Sequence, residues 1–422
     1  MKIDEKGNWR SFRHRNYRIL FAANAVSNIG TWAQRIAQDW LVLELTNKGS
    51  YLGLVTALQF APFIFFSLHG GALADRFNKR KVLIWTNIAG GASAGILGLL
   101  VLTGVVNILH VCILALTLGI SSAVDGPVRQ AFTSEVVGEE DVSNAVSLNS
   151  ANFNAGRLIG PAVSGLLIAA FDTGPSFILN AASYVFVIAA LLVLKEEAFF
   201  YRKTTQVMTS VREGLKYAKA RPDIYVVMLI VFFMSTFGLN FQIFNALMAT
   251  QAFNRGPASY GLLGTFMAIG SLSGALLSAR LERFRSVRYI IAASIIFSAC
   301  VIIISFMPSY TTYAIFLPLC GLSALTTLVN ANSYVQVNCD PAIRGRVLGI
   351  YLFIFMGGAP FGSSLIGVFS DIFGIRATVA GCGVISLVSV VVIGALFKEK
   401  VQTPSDTTIS GVLYTAENDQ RQ

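Results

Sequence analysis

The chemistry in this chain that most needs explaining lies in polar and charged side chains set inside long apolar runs. In the first run, Asn28, Thr31, Arg35, Gln38 and Asp39 follow one another at steps of three or four, with Asp39 next to Gln38, and so fall on one face of a helix. A charge inside a membrane is expensive and marks a route for ions or solutes, so this stripe should face water or a partner helix, not lipid. Arg35 and Asp39 stand four apart, the spacing of an ion pair. Protonating the aspartate would weaken that pair and change the local charge by one, which makes Asp39, with Arg35, the leading candidate for coupling to protons. At 1.5 Å per residue Asp39 lies about 30 Å along its helix, near one edge of a bilayer, and the competing expectation there is a structural ion pair.

Two further strings carry positional information. The string Gly71-Ala-Leu-Ala-Asp75-Arg76-Phe-Asn78-Lys79-Arg80-Lys81 joins the second and third apolar runs. Gly71 allows close helix approach, Asp75 suits a neighbouring helix N-terminus, the basic residues suit lipid headgroups, and Asn78 is able to take a left-handed turn. In the fifth run, Gly156-Arg157-Leu-Ile-Gly160-Pro161-Ala-Val-Ser164-Gly165 spaces small residues four apart for tight packing, and Pro161 frees a carbonyl and kinks its helix. An ordinary helix pair would explain the same string. Asp125-Gly126-Pro127 closes the fourth run and reads locally as a helix-ending turn.

The elements that must position these residues follow from composition. The 422 residues are 54% hydrophobic and 13% charged, whereas soluble domains carry about 25% charged residues. A bilayer core needs roughly 20 apolar residues per helix, and the chain offers twelve runs, at 17–44, 50–73, 82–103, 108–127, 144–170, 175–194, 223–248, 258–279, 288–306, 312–335, 347–371 and 377–397. The expected fold is an all-α membrane protein of twelve transmembrane helices in two pseudo-symmetric six-helix bundles. Its parts are a first bundle (1–194), a linker with an amphipathic helix whose Val211, Leu215 and Ala218 share a face (195–222), a second bundle (223–397) and a disordered polar tail (398–422). The halves echo each other: Gly71-Ala72-Leu73 recurs as Gly274-Ala275-Leu276, and Pro161 and Asp172 as Pro360 and Asp371. Lys and Arg crowd the side that holds both termini, while the opposite connections carry only Lys48, Arg255 and Arg376. This asymmetry places both termini in the cytoplasm of a multi-pass protein of the bacterial cell membrane.

The loop at 71–81 resembles the signature loop of the major facilitator superfamily, with Asn78 where the family prefers glycine, and the fifth run resembles the antiporter signature of its drug-exporting members. The stretches from Asp125 to Phe132, Asn144 to Asn149, Arg157 to Pro161 and Phe177 to Ala182 are similar to the secretion-effector branch, to which the enterobactin exporter belongs. The resemblance implies the major facilitator fold and a secondary active transporter working by alternating access. Its direction would be export of a drug-like compound, siderophore or other metabolite, with proton antiport as the energy source. It implies a conformational latch of Gly71, Asp75, Arg76, Lys79 and Arg80 closing on Asp125. It also implies a substrate cavity for which Asn28, Gln38, Phe237, Asn240, Phe241, Asn245 and Asn330 are candidates. Amides and aromatics without fixed acidic partners suit a neutral or anionic amphipath. The fourth run lacks, at 114–119, the arginine that many proton-coupled members carry.

Other classes lose their support. An ATP-driven pump needs a Gly-Lys phosphate loop, and the chain has no Gly-Lys pair. His14, His69 and His110 are far apart, and the five cysteines are scattered without a CxxC pair, so no enzyme, metal or cofactor site is expected. The net charge of +10 belongs to membrane orientation and not to nucleic acid. The expected partners are a small-molecule substrate, protons and lipid, with the chain acting as a monomer. Uptake of a solute, or a non-transporting sensor of the same fold, are the alternatives.

Overall fold

A computed structural model of the chain describes residues 7, 9–200, 211–280, 286–340 and 343–397, with the backbone alone at 67–76, 196, 211, 212, 279 and 280. Six long helices form the first half: α1 (Arg15–Thr46), α2 (Gly49–Arg76), α3 (Lys79–Leu102), α4 (Ile108–Val137), α5 (Val142–Phe171) and α6 (Gly174–Val193). A linker helix, α7 (Val211–Ala220), precedes a broken seventh span made of α8 (Pro222–Phe233) and α9 (Phe241–Leu247), each followed by a π-helical turn. The second half continues with α10 (Pro257–Arg280), α11 (Val287–Ser305), α12 (Tyr310–Asn338), α13 (Arg344–Phe373) and α14 (Ile375–Leu396). Eleven spans among the described residues are long and apolar enough to cross a membrane. The twelfth is α1, 32 residues long, whose apolar character is diluted by Arg15, Arg18, Arg35, Asp39 and Glu44.

Local chemistry sets the helix ends. Asn107 and Ser309 start α4 and α12 with capping boxes, and Ser286 caps α11. Asn78 departs from expectation: its backbone is extended (φ −62°, ψ 110°), and its side chain accepts from the Lys81 amide to cap α3. A helix start needs an acceptor more than a left-handed turn. Pro62, Pro127, Pro161, Pro318 and Pro360 all sit inside helices, tolerated because neighbouring helices re-satisfy the freed groups. Pro127 therefore does not end its helix: α4 runs on to Val137.

The halves are joined where α2 packs on α13 and α5 on α10. These contacts lie at the end remote from the chain termini, here called the far end. Gly49 and Gly53 of α2 approach Ser363 and Gly367 of α13, while Pro161 and Gly165 of α5 approach Gly261 and Gly264 of α10, and any Cβ on these glycines would press into the facing helix. Asp371 adds an electrostatic seal, accepting from the Gly49 and Ser50 amides at 2.7 and 3.0 Å, so that a carboxylate from one half caps a helix of the other. The repeat is real in topology but shifted from the sequence match. Asp172 ends α5 with φ 76°, and its structural counterpart is Gly374, which ends α13 with φ 78°. Asp371 sits one turn earlier and does a different job.

Both ends of the linker are docked. Residues up to Phe200 hold to the first half, where Phe200 N donates to Glu135 O at 2.7 Å and Asn16 bonds Lys195. Helix α7 holds to the second half: Gly214 sits against Arg346 and Ile350, Glu213 pairs with Arg346, and Tyr217 OH accepts from the Asp340 amide. Its buried side is Gly214, Tyr217 and Ala218, and Leu215 is exposed. Of the expected Val211, Leu215 and Ala218 face, Ala218 is buried and Leu215 is exposed, while the Val211 side chain lies outside the described residues; Gly214 joins the packed side where α7 meets α13. The hydrogen bonds that Arg221 donates to the Asp223 carboxylate hold its guanidinium more firmly protonated than usual. The tail at 398–422 and residues 201–210 of the linker lie outside the described residues.

Overpacking the far-end contact tests its role. Gly261→Leu is expected to cost the closed arrangement about 1–3 kcal/mol. The readout is faster labelling of a cysteine placed at Ala258 by a membrane-impermeant maleimide; unchanged labelling would show that this contact does not hold the halves together.

Candidate functional site

Helix α4 brings a carboxylate and a guanidinium one turn apart into a polar cavity of about 290 Å³ inside the first half. Arg129 Nε donates to Asp125 Oδ2 at 2.6 Å and Nη2 to Oδ1 at 2.9 Å, a forked pair. Asp125 Oδ1 also accepts from Thr86 Oγ1 at 2.8 Å and Asn87 Nδ2 at 3.1 Å. Arg129 Nη1 donates to Asn24 Oδ1 at 2.7 Å. Ser27, Asn28, Thr31, Ser121, Ser122, Asn149, Asn152 and Tyr184 complete most of the lining. Helix packing makes room for this lining. Gly90 and Gly91 of α3 lie against the Tyr184 ring, and Gly156 of α5 lies against Asn28, leaving no space for side chains there.

Among the described residues, Asp125 makes no contact with Lys79 or Arg80. Lys79 pairs with Glu135 at 2.8 Å, and Arg80 donates to the carbonyls of Leu191 and Leu192. Because α4 continues past Pro127, Asp125 is held inside the helix beside Arg129. The side chains of Gly71, Asp75 and Arg76 lie outside the described residues. Arg129, not singled out in the sequence, is a cavity residue. The i, i+4 spacing from Asp125 was the signal for it.

The stripe on α1 divides into three. Asn28 and Thr31 face the cavity. Arg35 stacks its guanidinium over Trp32 at 4.8 Å and Phe60 at 5.5 Å. Gln38 and Asp39 are buried at the far end. Arg35 and Asp39 do not form the expected ion pair. Asp39 Oδ2 instead accepts from Gln242 Nε2 at 2.7 Å and Tyr260 Oη at 2.6 Å, both in the second half. Asp39 is 1% exposed, because α9 and α10 close over it. Span seven is broken just ahead of this contact, at Leu239 and Asn240 between a π turn and α9, and such breaks gather at functional sites.

The remaining candidates do not line this cavity. Asn240 donates to Thr236 O, Asn245 accepts from Tyr313 Oη at 2.9 Å, and Asn330 bonds Thr326 O and Ser278 Oγ. Phe241 is buried, and Phe237 borders a separate apolar pocket of about 190 Å³ with Leu365 and Phe369. The span-five string works as a double contact: Gly156 and Gly160 admit α1, while Pro161 and Gly165 admit α10. Arg157 lies over Trp32 at 5.8 Å. In the second half, α12 and α13 line a cavity of about 360 Å³ with Leu325, Leu328, Val329, Asn332, Ser333, Tyr351, Leu352 and Phe355, without a charge.

Comparison with known proteins agrees with this architecture. Residues 6–413 match the model of the family described as transmembrane secretion effector, a branch of the major facilitator superfamily. The chain is 24% identical to the staphyloferrin A transporter of Staphylococcus aureus, covering 94% of this chain and 99% of that one. It is 26% identical to the multidrug efflux pump Tap of Mycolicibacterium fortuitum, over 85% and 90%. The fold resembles a bacterial homologue of the lysosomal transporter Spinster, with a TM-score of 0.73 at 15% identity, covering 92% and 98%. The family and these relatives are transporters and not enzymes.

A double-mutant cycle measures the cavity pair. Asp125→Ala and Arg129→Ala should each lower the melting temperature of the purified protein. The double variant should lose less than their sum, with a coupling of about 0.5–3 kcal/mol. Additive losses would mean that the two groups do not act as a pair.

Proposed function

The chain belongs to the transmembrane secretion effector family of major facilitators, and we propose that it exports a small amphipathic molecule by alternating access, driven by proton antiport. The observation that carries this reading is the division of polar chemistry along α1: cavity residues on the terminal side, and Asp39 buried in the closed far end. In this reading the terminal side is cytoplasmic, in keeping with its Lys and Arg, and the cavity loads from within. The similarity to an efflux pump supports the outward direction. One copy suffices, since a single chain builds the cavity and both interhalf contacts.

Asp39 supplies the coupling. Ionised, it accepts two hydrogen bonds across the halves, and bonds to a carboxylate are roughly twice as strong as neutral ones. The far end is then held shut. Protonation removes that charge, weakens both bonds and lets the far end part. An empty, ionised carrier is thereby kept from opening outward, which limits uncoupled leakage.

Two measurements test the proposal. In a strain lacking the protein, mass spectrometry of cells and medium should find a small molecule retained inside; a nutrient missing from the cells instead would point to uptake. With that molecule in inverted vesicles, collapsing the pH gradient should stop accumulation. Asp39→Asn should reduce gradient-driven accumulation about tenfold while downhill exchange continues. Accumulation indifferent to both would remove the proton from the mechanism.

A further inference from the structure

Charge in the cavity of the first half is already balanced. Its charged lining residues are Asp125 and Arg129, which meet as a forked pair. Neither is used up: Asp125 Oδ2 accepts a single bond, from Arg129 Nε, and Arg129 Nη1 gives one of its two hydrogens to Asn24. The pair therefore still offers an acceptor and a donor at zero net charge. An acid entering here would compete with Asp125 for the guanidinium, and a base would compete with Arg129 for the carboxylate. Either would add a net charge to a balanced site, which is costly away from bulk water. A hydroxyl group can donate to the one and accept from the other, and it displaces neither.

The rest of the lining repeats this two-sided character. Ser27 and Asn28 of α1 and Ser122 of α4 line the cavity without a hydrogen-bond partner among the described residues, and each of these side chains can both donate and accept. On α5, Asn149 gives its carbonyl to Tyr17 Oη at 3.1 Å and keeps its NH2, while Asn152 gives its NH2 to Phe21 O at 3.1 Å and keeps its carbonyl. Free donors and free acceptors are thus mixed around one space. Phe153, 49% exposed, adds an apolar ring to the same wall, braced edge-on by Trp32 at 5.6 Å. The volume of about 290 Å³ falls at the small end of ligand pockets, roughly 300–1,000 Å³, and suits one hydroxylated ring more than a whole amphipath.

We propose that this cavity is a subsite for an uncharged polyhydroxyl group, a sugar ring or short polyol, and that the transported molecule is a neutral amphipath carrying such a group on an apolar body. This rests on the export reading for the role of the cavity, and it names the substrate class. Hydroxyls donate and accept in equal measure, as the free lining groups do, and they leave the ion pair of α4 intact. Asp125 and Arg129 then act together as one neutral, two-sided contact, and their balance is what turns away acids and bases alike.

The test measures equilibrium binding of three radiolabelled probes that share a phenyl body: phenyl β-glucoside, benzoate and phenethylammonium. The purified full chain is held in lipid nanodiscs, free of glycoside detergents. The glucoside should bind about tenfold more tightly than either ion. Asn28→Ala and Ser27→Ala should each weaken it about fivefold, the loss of one hydrogen bond, with the melting temperature unchanged. Asp125→Asn leaves a net positive cavity and should tighten benzoate; Arg129→Gln leaves a net negative one and should tighten phenethylammonium. A merely structural loss would not give these opposite shifts. Should Arg129→Gln fail to fold, Asn28→Ala and Asp125→Asn still decide. Either ion binding the native chain as tightly as the glucoside, no binding of any probe, or a glucoside affinity unchanged in both alanine variants would overturn the subsite. Direction is read separately: the glucoside carried only inward across reconstituted vesicles would remove the export reading and leave the subsite standing.

Discussion

Backbone-to-backbone contact at one end is the constraint on which the rest of the molecule depends. Where Gly53 meets Ser363 and Gly261 meets Pro161, helices from opposite halves come closer than side chains would allow. Without water to drive association, such packing is what holds membrane helices together. The contact is strong because it is intimate, and it is local because it needs glycine. Toward the terminal side the lining of the first half changes from glycine to amides and hydroxyls, which cannot pack in this way and hold polar space instead. At the far end the glycines face the other half, whereas around the cavity Gly90, Gly91 and Gly156 pack within the first half and leave its polar side chains unpaired with the second.

The halves repeat in topology and diverge in chemistry. Helices α4 and α12 both start with capping boxes, yet α4 carries Asp125 and Arg129 into its cavity while α12 carries Leu328 and Asn332. A duplicated scaffold keeps the geometry of rocking, because that depends on helix order. Recognition does not need symmetry, and the two halves line their pockets with different chemistry.

The architecture was legible because membrane insertion writes itself into composition: twelve apolar runs, a basic side and a long central connection. The span-five string was legible too, since glycine spacing encodes close approach directly, and the structure places Gly156, Gly160 and Gly165 at helix crossings. What failed were statements about partners. Arg35 and Asp39 have ion-pair spacing, but an aromatic pair claimed the guanidinium and the other half claimed the carboxylate. Asp125-Gly126-Pro127 has the look of a turn in water, yet inside a bundle the helix continues, which moved Asp125 and Arg129 into the cavity. Tyr260 and Gln242 left no local trace, because their meaning lies in a contact more than 200 residues away in sequence.

Helix α1 carries residues of both the cavity and the closed end on one rod. Asn24, Asn28 and Thr31 line the cavity and Asp39 enters the interhalf contact, and the eleven steps from Asn28 to Asp39 span roughly 16 Å of continuous helix. Gly156 and Gly160 press α5 against this same rod, and α5 in turn carries Pro161 and Gly165 into the contact with α10. A ligand that shifted α1 at the cavity would have to act on the Asp39 contact and the α5 contact together. Cavity and closure are thus connected through two packed helices whose mutual position is fixed by missing side chains, a connection that requires no moving loop between them.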